Sequence, residues 1–189
     1  DDPIEVTFTS NKCLVWNHED VRKLRVKHRI VGNLIGTVAH FQQQNQFTGL
    51  PLLLSNDEAT LLLSKGIAKL KKIADSTNNN VESLSDWSYP QTEHEKLKYA
   101  VFEDFWNRGY YLTPGSKFGG DFLAYPGDPL QYHAHYVVIA LPYTKFISPL
   151  DVISYGRLAV TVKKTPVLAS LHPDTKEVLL LCLDWQGVS

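Results

Sequence analysis

Apolar and polar positions alternate from Ile4 to Thr9, which predicts a strand, and a Ser-Asn-Lys turn leads into a second short strand over residues 13–16. Asn17 then stands where a helix N-cap belongs, with Asp20 three residues on, and predicts a short basic helix through Lys27. A second helix is expected from Ser55, whose hydroxyl can accept from the Glu58 amide while Glu58 reaches back, and it stops at Gly66. Lys-rich, helix-like sequence near residue 70 passes into Asp75-Ser76-Thr77-Asn78-Asn79-Asn80 and a further polar stretch ending at Tyr89-Pro90. Such a segment cannot repay its ordering entropy by burial, so it reads as a linker, with room for a longer insert.

Beyond the linker the pattern strengthens. Thr92 and Glu95 form a capping box, Leu97, Val101 and Phe105 descend one helical face, and Gly109 sits at a left-handed C-cap. Extended runs follow over residues 110–112, 117–125 and 132–141, separated by Thr-Pro-Gly-Ser and Pro-Gly-Asp-Pro turns. Ser148-Pro149 with Asp151 opens another helix, expected to close near Gly156. Two final strands are expected over residues 160–170 and 178–185, around a His-Pro-Asp-Thr turn. The expected architecture is therefore α/β: a small mixed α/β amino-terminal domain over residues 1–70, a linker over 71–90, and a second domain over 91–189 with a central mixed β-sheet flanked by helices.

Composition narrows the function classes. The chain has 189 residues, 43% hydrophobic and 21% charged, which suits a folded core and excludes a disordered tail, a collagen or a coiled coil. Lys and Arg total 19 against 20 Asp and Glu, a net charge of -1, so no global field drives the chain onto nucleic acid or membrane. Any anionic partner must be held by a local patch. The longest apolar run, residues 178–183, falls far short of the roughly 20 residues that span a bilayer. Cys13 and Cys182 lie in apolar contexts and are expected to be reduced core thiols of an intracellular protein. No secretory signal is present, and the absence of methionine, an initiator included, suggests a trimmed chain.

Three places could carry chemistry. On a strand, His133 and His135 would point to one face, where they admit a metal site, a plain strand pair or acid-base catalysis. A metal site wants a third ligand, and no Glu-x-x-His or Cys pair lies nearby. The paired glycines of Lys117-Phe118-Gly119-Gly120-Asp121-Phe122 mark a bulge or the close approach of another backbone. Asp121 lacks the second acidic residue and lysine that a metal-dependent nuclease would set after it, which favours metal-free chemistry. Finally, strand parity would turn Lys164 toward the apolar, ligand-facing side with Leu158, Val160 and Val162, and Lys163 away; a pair of solvated lysines at a strand end is the alternative.

Taken together these segments resemble a known family. Gly109-Tyr-Tyr-Leu-Thr-Pro-Gly-Ser-Lys-Phe-Gly-Gly-Asp-Phe-Leu-Ala-Tyr-Pro-Gly-Asp-Pro-Leu, followed by Tyr-His-Ala-His-Tyr, is similar to the catalytic subunits of the tRNA-splicing endonuclease. Gly156-Arg-Leu-Ala-Val-Thr-Val-Lys-Lys and Leu183-Asp-Trp match in order and spacing, while Gln44-Asn45 and Gly49-Leu-Pro-Leu-Leu-Leu resemble the amino-terminal domain. The Tyr-Pro-Gly-Asp-Pro-Leu-x-Tyr-His form resembles the eukaryotic subunit that cuts the 3′ splice site.

The resemblance implies a tRNA-intron-endonuclease catalytic lobe and metal-independent cleavage of precursor tRNA. In that reaction a ribose 2′-OH attacks the adjacent phosphate, leaving a 2′,3′-cyclic phosphate and a 5′-OH. By motif position Tyr125 would be the base, His133 the acid and Lys164 the cation. An imidazole, with its reference pKa of about 6.5, suits the acid role, whereas a phenol near 10 needs a neighbouring cation. Arg157 and Trp185 match residues that grip an unpaired RNA base, and Lys117 is a candidate phosphate contact. No cofactor and no metal are implied. The implied partners are one further catalytic and two structural subunits, in a nuclear complex or, in some fungi, one in the cytoplasm or at the outer mitochondrial surface. The run Val178-Leu-Leu-Leu-Cys-Leu, apolar on both faces, fits a central or interface strand. The rival readings are a non-catalytic architectural or RNA-binding subunit of the same complex, and a homo-oligomeric endonuclease of the archaeal type.

Overall fold

The computed structural model describes residues 2–36, 49–72 and 87–184. It divides the chain into two units, Asp1–Gln91 and Thr92–Ser189. Mixed α/β structure is found in both. The predicted linker falls largely on residues 73–86, and these, with Gln44, Asn45 and Trp185, lie outside the described residues.

In the first unit, β1 (Ile4–Thr9), β2 (Lys12–Val15), α1 (His18–His28), β3 (Asn33–Gly36), β4 (Gly49–Leu54), α2 (Asn56–Ser64) and β5 (Ala68–Lys72) build one sheet in the order β3-β4-β2-β1-β5. The Ser10-Asn11 turn takes positive φ at both residues, 47° and 60°, the geometry whose twist matches a two-residue hairpin. Asn17 caps α1 by accepting from the Glu19 and Asp20 amides, as the sequence predicts. β5 corrects the helix expected near residue 70. Lys69 and Lys71 alternate outward across β1 and pair with Glu5 at 3.7 and 3.2 Å, while Ala68 turns inward, so a period of two prevails over the helix propensity of lysine. The end of the expected linker is also held: the Trp87 indole donates to Thr60 Oγ1 at 2.9 Å and the Tyr89 hydroxyl to Asp57 Oδ1 at 2.7 Å.

Glu58 ties this unit together. Besides completing the capping box with Ser55, its carboxylate accepts from the amides of Ser55, Gly32 and Val31 at 2.8, 2.9 and 3.2 Å. Burial pushes its carboxyl up, and those amides oppose the shift. Glu58→Ala would strand the three donors at roughly 1 to 3 kcal/mol each. The urea midpoint of the variant should fall by an amount equivalent to about 3 kcal/mol or more, and an unchanged midpoint would contradict this role.

In the second unit, α3 (Glu93–Asn107) precedes β6 (Tyr111–Pro114), a 3₁₀ turn (Ser116–Phe118), β7 (Phe122–Tyr125), β8 (Tyr136–Ala140), α4 (Pro149–Val162), β9 (Thr165–Leu171) and β10 (Val178–Cys182). The sheet order is β10-β9-β8-β7-β6; β8 and β9 run parallel across the α4 crossover and the other pairs are antiparallel. α3 buries Leu97, Val101, Phe102 and Phe105, with Phe102 against Phe122 at 5.4 Å. The core cluster of Leu123, Ala134, Val137, Ile139 and Leu168 is covered by Tyr155, Leu158 and Val162 of α4. The boxes at Thr92/Glu95 and Ser148/Asp151 form as predicted.

Several expectations are corrected. α4 does not close at Gly156; it runs to Val162 and ends at Lys163, whose φ of 52° makes the left-handed cap. Tyr155, Leu158 and Val162 recur at helical spacing against the core, so residues 157–162 are helical and the parity argument for Lys164 lapses. The strand predicted over 117–125 is a 3₁₀ turn followed by β7, and that over 132–141 starts at Tyr136. Cys13 is buried, its thiol pushed up to about 12, but Cys182 is exposed. β10 is not central either: it is an edge strand, with Leu179 43% and Leu181 54% exposed.

Candidate active site

The carboxyl-terminal end of β7 and the chain leading into β8 and β9 bring the predicted residues to one end of the sheet. Ala124, Tyr136 and Thr165 are register partners across β7, β8 and β9. At His135 the antiparallel register slips by one residue: its amide donates at 2.9 Å to the carbonyl of Ala124, which already pairs with Tyr136, while the Thr165 amide donates to the His135 carbonyl at 3.0 Å. Tyr125 closes β7, Lys164 immediately precedes β9, and His133 and His135 lie in the segment that leads into β8, so all four stand at this end of the sheet. Ala134 is buried in the core cluster with Leu123 and Val137, while His133 and His135 are exposed.

A hollow of about 560 Å³ opens here, lined by His133, His135, Tyr136, Lys163, Lys164 and Asp184 among others. His133 and Lys164 thus share one cavity. Tyr125 is not part of its lining; its ring packs on the core cluster, and its hydroxyl accepts from Thr113 Oγ1 at 3.4 Å. Lys164 is half-buried. Its ammonium donates to the Val162 carbonyl at 3.2 Å and lies 5.2 Å from the centroid of the Phe118 ring. His135 stands edge-on to Tyr136 at 6.2 Å, and Tyr136 edge-on to Tyr110 at 5.8 Å. Burial, and then Tyr136 alongside, pushes the Tyr110 hydroxyl up.

Other predicted residues are placed differently. Arg157 lies on the exposed side of α4 and outside the hollow's lining. Lys117 is exposed on the 3₁₀ turn and is not part of the lining either. Asp121 is spent on the fold, accepting from the Ala140 amide at 2.8 Å. His133 and His135 offer two imidazoles, and no cluster of three or more His, Cys, Asp or Glu able to hold a metal occurs among the described residues. Sequence reasoning missed Thr113 and Phe118. Their signals were present, a threonine diagonal to Tyr125 across an antiparallel pair and an aromatic just before two glycines, but neither has meaning until the register is known.

Comparison with known proteins reaches both units. A family model described as the TSEN34-like N-terminal domain matches residues 4–73, and one described as the tRNA intron endonuclease catalytic C-terminal domain matches residues 96–179. The tRNA-splicing endonuclease of Saccharolobus islandicus is 31% identical over 137 residues, covering 71% of this chain and 74% of that protein. The chain belongs to the tRNA-splicing endonuclease family. Among other family members, mouse tRNA-splicing endonuclease subunit Sen34 is 43% identical over 103 residues, 54% of this chain. A probable tRNA-splicing endonuclease subunit sen34 of Schizosaccharomyces pombe is 26% identical over an alignment that covers 99% of both chains. The matched region spans about a third of the mouse and human Sen34 relatives, 32% and 33%.

Proposed function

We propose that this chain is the Sen34-type catalytic subunit of a tRNA-splicing endonuclease and that it cuts the 3′ splice site of intron-containing precursor tRNA. The observation that carries this reading is the convergence of His133 and Lys164 on one hollow at the end of the sheet where Tyr125 closes β7, in the domain matched by the catalytic family model. Residues 91–189 are taken as the nuclease domain, residues 1–70 as the amino-terminal domain, and residues 71–90 as the link between them.

The reaction needs no metal. Tyr125 as phenolate takes the proton of the ribose 2′-OH, and the 2′-oxygen attacks phosphorus. The bond from phosphorus to the 5′-oxygen breaks, and His133 gives its proton to that leaving oxygen. The products are a 2′,3′-cyclic phosphate and a 5′-OH. Lys164 faces the negative charge that builds on the phosphoryl oxygens, where a fixed cation does most for the rate. Lys117, outside the hollow, would meet phosphate farther along the strand.

Precursor tRNA and the remaining subunits, one catalytic and two structural, are the partners of this reading, and splicing in the nucleus is its setting. Relatives named as subunits support an assembly, and the exposed leucines of edge strand β10 supply an apolar, strand-pairing surface for one. Arg157 on α4, with Trp185, is assigned to gripping an unpaired base of the RNA held at the opposing catalytic subunit. Since losing a base stack costs roughly 1 to 3 kcal/mol, the double change Arg157→Ala and Trp185→Ala should slow 5′ cleavage more than 3′ cleavage; a selective loss at the 3′ site, or none, would reject the assignment.

The test of the chemistry is to incubate the chain, alone and with candidate partner subunits, with an intron-bearing precursor in excess EDTA. Cutting should persist apart from any effect on tRNA folding. Loss restored only by one particular transition metal would return His133 and His135 to the metal reading.

A further inference from the structure

The Gly119-Gly120 pair has a place in the fold that the reaction above does not account for. Gly119 is left-handed at φ 77°, and a Cβ there would stand 3.2 Å from Leu158 of α4. One on Gly120 would stand 2.5 Å from Val137 Cγ1 and 2.9 Å from the Val138 carbonyl oxygen, and one on Gly115 2.7 Å from the Phe122 backbone. Only glycine lets the 3₁₀ turn lie this close on β7 and β8 with α4 pressed over it. The residue so wedged is Phe118, which packs on the core cluster and presents its ring to the Lys164 ammonium.

We propose that Phe118 is a positioning residue for Lys164, its ring and the Val162 carbonyl together holding the ammonium at the edge of the catalytic hollow. This rests on Lys164 acting in cleavage. An ammonium has three N–H donors. One goes to Val162, one side lies toward the ring, and the rest of the head is left to meet a phosphate in the hollow. A lysine side chain otherwise roams among many rotamers, and confining it before the substrate arrives means that no reorganisation falls on the chemical step. The left-handed cap at Lys163 serves the same end, because it turns the chain sharply between α4 and β9 and so sets where Lys164 starts.

The experiment measures single-turnover cleavage in the reconstituted complex for wild type, Phe118→Leu, Phe118→Tyr, Lys164→Ala and the Phe118→Leu/Lys164→Ala pair. Phe118→Leu keeps an apolar side chain but removes the π face; it should lower the single-turnover rate constant roughly 3- to 30-fold, the range of a partly desolvated cation–π contact, with the half-saturating enzyme concentration little changed. Phe118→Tyr should restore most of the rate, and Phe118→Leu should add almost nothing once Lys164 is gone. A wild-type rate for Phe118→Leu while Lys164→Ala is crippled would overturn this proposal alone. So would an equal loss from Phe118→Leu in both backgrounds, which marks a merely structural role. A wild-type rate for Lys164→Ala would overturn the assignment of Lys164 and this proposal with it.

Discussion

Replacing the ribose at the scissile linkage by 2′-deoxyribose should abolish cleavage while leaving binding nearly intact. In the proposed reaction the attacking oxygen is supplied by the substrate, so removing it removes the nucleophile itself, and no rearrangement of the hollow can compensate. Contacts to neighbouring phosphates and bases are untouched by the loss of one hydroxyl, which is why affinity, read from a filter-binding or anisotropy titration, should hardly move. An appreciable cutting rate on that substrate would mean that water attacks instead, and the proposed 2′-OH attack with Tyr125 as its base would fall.

The second large effect is on the protein side. His133→Ala should slow cleavage by about 10²- to 10⁴-fold, the usual range for losing a positioned general acid or base, and His135→Ala should cost much less. The geometry makes this a sharp comparison. Both imidazoles are exposed and line the same hollow, and His135 rests edge-on against Tyr136. A reversed pair of effects would move the acid from His133 to His135.

How much of this could be read from the chain depends on how local the cause is. The caps at Asn17, Ser55, Thr92 and Ser148 were legible because the hydrogen bonds that make them lie within three residues. The Gly119-Gly120 approach was legible for a similar reason, since glycine inside an apolar run has few other uses. β5 and the second half of α4 were not. Lys69 and Lys71 look helical until Glu5 of β1 is set opposite them, and Val160 and Val162 look like a strand until Tyr155 and Leu158 are seen packing with Val162 on the sheet. The exposure of Cys182 and of Leu179 and Leu181 follows from β10 lying at the sheet edge, a fact of topology with no signal in a six-residue apolar run. For the site, the motif brought Tyr125, His133 and Lys164 together on paper, whereas the contacts of Thr113 and Phe118 required the register and the folded turn.

The central claim is that the hollow on this chain cuts one particular junction. The direct measurement is to follow both cut products of one end-labelled precursor over time in a reconstituted complex in which only this chain carries His133→Ala. The 5′ splice site should still be cut at close to the wild-type rate while 3′ cleavage falls by about 10²-fold or more; unimpaired 3′ cleavage, or a loss confined to the 5′ site, would show that the hollow does not cut the 3′ junction.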